Sequence, residues 1–316
     1  MRVAGIDIGT NTTRLLVADV VDGRIAGELH RESRITRLGE GVDARGRLLP
    51  APIARVRNVL ADYRRSLESL GAERVLAIAT SAMRDAENGE AFLGEVEWSY
   101  GFATRLLSGD EEALLTRRGV ASGRQLRAGT LVIDLGGGST ELVLDGWHES
   151  LELGSVRHTE RFLASDPPTA EELARCAADA RALLAERVSG TIREQTTAAV
   201  AVAGTVTTLA ALDLGLERYD RDRVDGHRLS AAAVRVQLER LAALPLAERR
   251  LLPAMEPERA PVIVAGTVIL AELLDAFSLD GVDVSEHDVL DGAALAAAEL
   301  PAPEEGAAPP GAFTCC

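Results

Sequence analysis

One strand–turn–strand unit occurs twice in this chain, offset by 127 residues, and that repeat limits the fold more than any other feature. Gly5-Ile-Asp-Ile-Gly-Thr-Asn-Thr-Thr-Arg-Leu-Leu-Val and Val132-Ile-Asp-Leu-Gly-Gly-Gly-Ser-Thr-Glu-Leu-Val-Leu align with Asp7 on Asp134, Gly9 on Gly136 and Thr12 on Ser139. An acid, a glycine, a hydroxyl and two apolar runs all keep register, so the repeat is one of domains rather than of short solenoid units. A chain of 316 residues has room for two such domains, which we expect to face each other across a cleft.

From Val3 onward, β-rich runs alternate with stretches of helical period, the pattern of an α/β fold. Val3–Asp7 and Leu15–Val20 flank a polar turn as a hairpin. Behind Pro52, the residues Ile53, Val56, Val59, Leu60, Tyr63, Leu67 and Leu70 fall at helical spacing, and Gly71 is placed to cap that helix. The pattern then predicts a strand at Arg74–Ala79, a helix at Ala86–Val96, a strand at Thr104–Leu107 and a helix from Asp110. In the second half it predicts a helix opened by the capping box Thr169-Ala-Glu-Glu172 and running to about Val188. A strand at Val200–Ala203, a helix capped by Ser230, an apolar helix at Val262–Phe277 and a strand at Val282–Val284 follow. We place the first domain at 1–120, the second at 121–290, and a helix at about 291–300 that packs back on the first. Residues 301–316 combine Pro, Gly, Ala and Glu without period and read as a disordered tail.

Composition removes several classes of function. The 34 basic residues against 49 acidic ones give a net charge of −15, which repels nucleic acid and anionic lipid. Every basic side chain is arginine, because the chain contains no lysine. That excludes a P-loop ATPase, pyridoxal chemistry and Schiff-base aldolases, all of which need an amine. Cys176, Cys315 and Cys316 make neither a disulfide framework nor a zinc spacing. No apolar run nears the roughly 18 residues of a spanning helix, and the amino terminus enters a strand directly. We therefore expect a cytoplasmic protein, monomer or homodimer, with no nucleic-acid or membrane partner.

The repeated turns, Asp7–Thr13 and Asp134–Thr140, have the composition of phosphate loops, in which glycine lets backbone amides and hydroxyls approach an anion. Ordinary hairpins with glycine and asparagine at positive φ are the alternative for either turn alone. An acid beside bound phosphate is repulsive unless a cation intervenes, so the same loops imply Mg²⁺, or Mn²⁺ in its place. In Ser108-Gly-Asp-Glu-Glu112 the capping-box spacing accounts for Glu111, whereas Glu112 is left over in the first helical turn, where it is either a general base or a complement to the helix dipole. Arg84 follows a strand and turn toward the same edge and is either a fork on phosphate or a surface partner of Asp85 or Glu87. Glu141 projects on the pleat opposite Thr140, toward a metal, a water or solvent. His227 and His287 read as polar loop residues without ligand spacing, and Gly204-Thr-Val-Thr-Thr208 as a third anion contact or a simple helix start.

Together, Asp7-Ile-Gly-Thr-Asn-Thr, Ala79-Thr-Ser-Ala-Met-Arg84, Leu107-Ser-Gly-Asp-Glu-Glu-Ala113, Val132-Ile-Asp-Leu-Gly-Gly-Gly-Ser-Thr-Glu141 and Ser285-Glu-His-Asp-Val-Leu-Asp-Gly292 resemble the exopolyphosphatase/guanosine pentaphosphate phosphatase family, from about Arg2 to Leu300. The resemblance implies a duplicated ribonuclease H-like fold of the actin, Hsp70 and acetate kinase superfamily, with Mg²⁺-dependent removal of terminal phosphate from inorganic polyphosphate or from guanosine pentaphosphate. Carried over by position, it makes Glu112 the general base and gives Asp7, Asp134 and Glu141 to the metal or the attacking water. Gly9, Thr10, Asn11 and Thr12, with Gly136, Gly137, Gly138, Ser139 and Arg84, become the phosphate grip. The chain resembles the short, two-domain, actinobacterial form, for which short-chain polyphosphate is the expected substrate. A sensor that holds guanosine polyphosphates or ATP without turnover is the alternative of a different class, and a sugar or acetate kinase a third.

Overall fold

The structure, a computed structural model, describes residues 1–301, so all but Pro301 of the expected tail, with Cys315 and Cys316, lies outside the described residues. Two compact units divide the chain, one formed by Met1–Gln125 together with the chain from His287 onward, the other by Leu126–Glu286.

In the first unit β1 (Arg2–Ile8) pairs antiparallel with β2 (Thr12–Val21), and β2 with β3 (Arg24–Ile35). α1 (Pro50–Leu70) carries the chain to β4 (Arg74–Ala79), parallel to β1; α2 (Gly89–Tyr100) leads to β5 (Ala103–Leu106), parallel to β4; α3 (Gly109–Gly123) follows. The order is β3-β2-β1-β4-β5. The second unit repeats the scheme. β6 (Thr130–Leu135), β7 (Thr140–Leu144) and β8 (Trp147–Leu151) form the antiparallel meander, then come α4 (Ser155–Phe162) and α5 (Ala170–Arg187). β9 (Ala198–Val202) runs parallel to β6, and after α6 (Gly204–Asp213), β10 (Arg228–Ser230), α7 (Ala231–Ala243) and α8 (Ile263–Ala276), β11 (Gly281–Val284) runs parallel to β9. The order β8-β7-β6-β9-β11 matches the first sheet strand for strand, with β10 added at its edge. This is the duplicated ribonuclease H-like α/β fold. α9 (Val289–Ala297) returns the chain to the first unit.

Local sequence explains the frame that holds the repeated turns. α1 starts on Pro50, buries Val56, Val59, Leu60, Tyr63 and Leu67 along one stripe, and ends where Gly71 adopts φ 70° and donates its N–H to the Leu67 carbonyl. Tyr63 reaches across to donate its hydroxyl to the Thr13 carbonyl at 2.9 Å, tying α1 to the strand behind the first turn. β1 is buried on both faces. Ala4, Ile6 and Ile8 join the core that includes α1, while Val3 joins the core of α9. Gly5 lets α9 lie against β1, since a Cβ there would sit 2.8 Å from the Ala294 nitrogen. The capping boxes at Ser108/Glu111 and Thr169/Glu172 form as their spacing predicts.

Two sequence expectations need correction. The helix expected from Ala86 starts at Gly89, because the Asn88 carboxamide is held by both the N–H and the carbonyl of Leu48. β3 has no counterpart in the sequence reading. Its twelve residues, RIAGELHRESRI, lack the alternation that reveals a strand, and ion pairs such as Arg31–Glu28 and Arg34–Asp62 line it instead. Among the described residues no helix is long and apolar enough to cross a membrane.

Candidate active site

The first turn is pinned from behind. Gly9 donates to the Thr12 carbonyl at 3.0 Å, closing the turn, and a Cβ on Gly9 would meet that same oxygen. The Thr10 carbonyl accepts from Gly39 at 2.8 Å, and the Asn11 carbonyl from Thr36 at 3.0 Å and Arg37 at 2.9 Å. In a trans peptide the carbonyl and the next N–H point oppositely, so the amides of Asn11 and Thr12 are turned away from this backing. The Thr10 hydroxyl accepts from the Ala82 N–H at 3.2 Å, which joins the turn to the Ser81–Arg84 helical turn.

Asp7, at the end of β1, stands opposite Arg14 on β2. Arg14 forks onto one Asp7 oxygen at 2.7 and 2.9 Å and bonds Asp288 with its remaining nitrogen. Asp288 also caps α9 by accepting from the Leu290 N–H. Two carboxylates thus share one guanidinium in a buried site: burial works against the Arg14 charge, and Asp288 and Asp7 more than offset it. Burial is the larger cause holding the Asp7 carboxyl above its ordinary range. The other Asp7 oxygen, Oδ1, is buried without a hydrogen-bond partner, as is Oδ1 of Asn11.

Arg84 forms an ion pair with Glu112. Its Nη1 donates to Glu112 at 2.7 Å and to the Leu107 carbonyl at 2.8 Å, so candidate grip and candidate base are one unit. Glu112 is buried at 7% exposure in the first turn of α3, one residue beyond the cap that explains Glu111.

The second unit has the same turn with different backing. Gly136 donates to Ser139 at 3.0 Å, as Gly9 does to Thr12. Asp134 on β6 stands opposite Glu141 on β7, where the first unit has Asp7 opposite Arg14. Both acids are buried, and Glu141 accepts from the Ser150 hydroxyl at 2.9 Å. Like charges directly across a ladder repel, which fits a position meant to face a cation. α4 supplies the backing: the Gly136 carbonyl accepts from Ser155 at 3.0 Å, and the Gly137 carbonyl from Val156 at 2.8 Å and Arg157 at 3.2 Å. Gly154 permits this approach, since a Cβ there would lie 2.3 Å from the Gly137 oxygen. We expect Gly154→Ala to push the turn out of place and lower kcat/KM by about 10²-fold, the cost of an ångström of misplacement, with the circular dichroism unchanged. Steady-state kinetics on the variant check this, and an unaltered rate removes the turn from catalysis.

The Gly204–Thr208 segment starts α6 with no side-chain cap, from Ala203 at φ 72°. The Arg259 guanidinium lies where a Gly204 side chain would be. The loop residues His227 and His287 pair with helical acids, His227 with Asp213 at the end of α6 at 2.7 Å and His287 with Asp291 in the first turn of α9 at 2.9 Å.

The sequence signature of the Ppx/GppA phosphatase family matches residues 16–298. The chain belongs to the Ppx/GppA family. Exopolyphosphatase 2 of Mycobacterium tuberculosis is 43% identical over 94% of this chain and 98% of its own length. Two crystal structures agree in fold. The Aquifex aeolicus Ppx/GppA member has a TM-score of 0.79 at 33% identity, covering 94% of this chain and 97% of its own. An exopolyphosphatase from Cytophaga hutchinsonii has a TM-score of 0.84 at 26% identity, covering 92% and 96%.

In this Ppx/GppA chain the structure brings Asp7, Gly9, Thr10, Asn11 and Thr12 together in one unit, and joins Arg84 to Glu112 there. It brings Asp134, Gly136, Gly137, Gly138, Ser139 and Glu141 together in the other. Sequence reasoning missed Arg14, Asp288 and Arg157. The register of the repeat could have found Arg14, since it falls on Glu141 when Asp7 is laid on Asp134. Among the described residues no group of three or more His, Cys, Asp or Glu side chains forms a metal site. Mg²⁺ is usually held by one or two carboxylates and completed by water and substrate phosphates. The unpartnered Asp7 Oδ1 and the opposed pair Asp134–Glu141 are donors of the right chemistry.

Proposed function

We propose that this phosphoanhydride hydrolase is an exopolyphosphatase that removes terminal phosphate from inorganic polyphosphate, short chains in particular, by attack of water. The observation that carries the reading is the turn found in both units, closed by the same hydrogen bond, with its carbonyls tied back and its amides left for an anion. The 43% identity to an exopolyphosphatase supports the choice of substrate.

Phosphoryl transfer to water needs positioning, neutralisation of charge and a proton acceptor, with little covalent help. The outward amides and the Thr10 and Ser139 hydroxyls bind phosphate oxygens in the two turns. Arg14 fixes Asp7, and Arg84 holds the Glu112 carboxylate, which accepts the proton of the attacking water at an Oε atom. Asp7 in the first unit and, separately, Asp134 with Glu141 in the second are carboxylates of the kind that would hold Mg²⁺ or Mn²⁺, whose contribution when bound is to neutralise phosphate charge. In a chain with no lysine, neutralisation by protein groups falls to arginines and amides.

The test is orthophosphate release with Mg²⁺ from short-chain polyphosphate, long-chain polyphosphate and guanosine pentaphosphate side by side. The highest kcat/KM on short chains is expected. A higher value on guanosine pentaphosphate would make the chain a 5′-phosphohydrolase of that nucleotide, and binding of all three without release would make it a sensor.

A further inference from the structure

The three peptide units Gly136–Gly137, Gly137–Gly138 and Gly138–Ser139 all have their carbonyls tied to α4, but not by the same means. Backbone amides of Ser155, Val156 and Arg157 hold the first two, with the Ser155 hydroxyl adding a contact to Gly136 at 3.3 Å. Any residue other than proline at those positions supplies such amides. The Gly138 carbonyl is bound by the Arg157 side chain, through Nε at 2.7 Å. The guanidinium is largely buried, and it also lies 3.8 Å from Glu152, a side chain 70% exposed.

We propose that Arg157 is a positioning residue for phosphate capture, whose Nε fixes the Gly138–Ser139 peptide so that the amides of Gly137, Gly138 and Ser139 form one row facing an anion. Three consecutive carbonyls point to α4, so by peptide planarity three consecutive N–H groups point the other way. Among the described residues none of those three amides has an acceptor. A row of successive amides is an anion nest, and a glycine turn without its third anchor samples orientations in which the Ser139 N–H is lost. The proposal rests on reading this turn as a phosphate site. It adds that the order of the turn depends on one side chain that itself need not touch phosphate.

Glutamine places its Nε2 as many bonds from the backbone as Arg157 Nε, so Arg157→Gln keeps the donor and removes the charge, whereas Arg157→Met keeps the length and removes both. With tripolyphosphate as the probe, Arg157→Met should raise KM about tenfold, the scale of one lost charge-assisted hydrogen bond. Its kcat should stay within about twofold and its melting temperature should change little. Arg157→Gln should recover most of the lost affinity. Equal impairment of the two variants would show that charge, not the donor, matters, and would overturn the proposal. An unchanged KM in Arg157→Met, whether or not its melting temperature falls, would do the same. Wild-type protein that neither binds nor hydrolyses tripolyphosphate would instead remove the phosphate reading on which the proposal stands.

Discussion

Replacing Glu112 with glutamine should lower kcat by roughly 10²–10⁴, the usual contribution of a positioned general base, while substrate binding stays nearly intact. The geometry makes glutamine a clean probe. Arg84 donates to Glu112 at 2.7 Å, and a glutamine carbonyl can accept the same bond, so the Arg84 position and the start of α3 are kept. What is lost is the ability to take up a proton. Glu111 is the internal control, because its carboxylate is occupied by the Ser108 N–H at 2.8 Å in the capping box. Glu111→Gln should therefore leave kcat within about twofold and weaken the helix start by about 1 kcal/mol at most. Pre-steady-state and steady-state phosphate release on both variants decide the matter. Equal effects at the two positions would mean that the helix terminus, rather than Glu112, is what the reaction needs.

The second large effect is on stability. Arg14→Ala removes the guanidinium that bonds both Asp7 and Asp288, whose side chains are 6% and 8% exposed, and leaves two buried acids without it. Removing one partner of a buried ion pair costs about 3–5 kcal/mol, and here the loss strikes the end of β1, the cap of α9 and thereby the packing of α9 on β1. Urea unfolding should show the first unit losing stability by that order, with a lower midpoint. A change below about 1 kcal/mol would mean that the ion triad is dispensable and that apolar packing of α9 alone holds it in place. Asp288→Asn should be milder, since a carboxamide still caps Leu290 and the Arg14–Asp7 fork remains.

What could be read from the chain and what could not divides along sequence distance. The repeat was legible because an acid, a glycine and a hydroxyl lie within six residues of one another in each copy. The capping boxes were legible because cap and partner are three residues apart. The repeat also marks the Arg14 position, but not its role, because the residue that completes that role, Asp288, is 274 residues away in sequence. Arg84 was legible as a candidate for phosphate or for a nearby acid, but its pairing with Glu112 was not, because that carboxylate lies 28 residues on, across two intervening elements. Arg157 was hidden for a related reason: its partner is a backbone carbonyl, which no sequence pattern marks. β3 escaped because strand propensity is read from apolar alternation, whereas its residues are held by a ladder of ten pairs to β2 and by surface ion pairs.

Hydrolysis as proposed proceeds by attack of water on the terminal phosphorus. Wild-type protein with tripolyphosphate and Mg²⁺, in water labelled with heavy oxygen, puts that claim to its most direct test by mass spectrometry of the products. One labelled oxygen is expected in the released orthophosphate and none in the pyrophosphate left behind. Label in the pyrophosphate, or bound tripolyphosphate that is never cleaved, would contradict it.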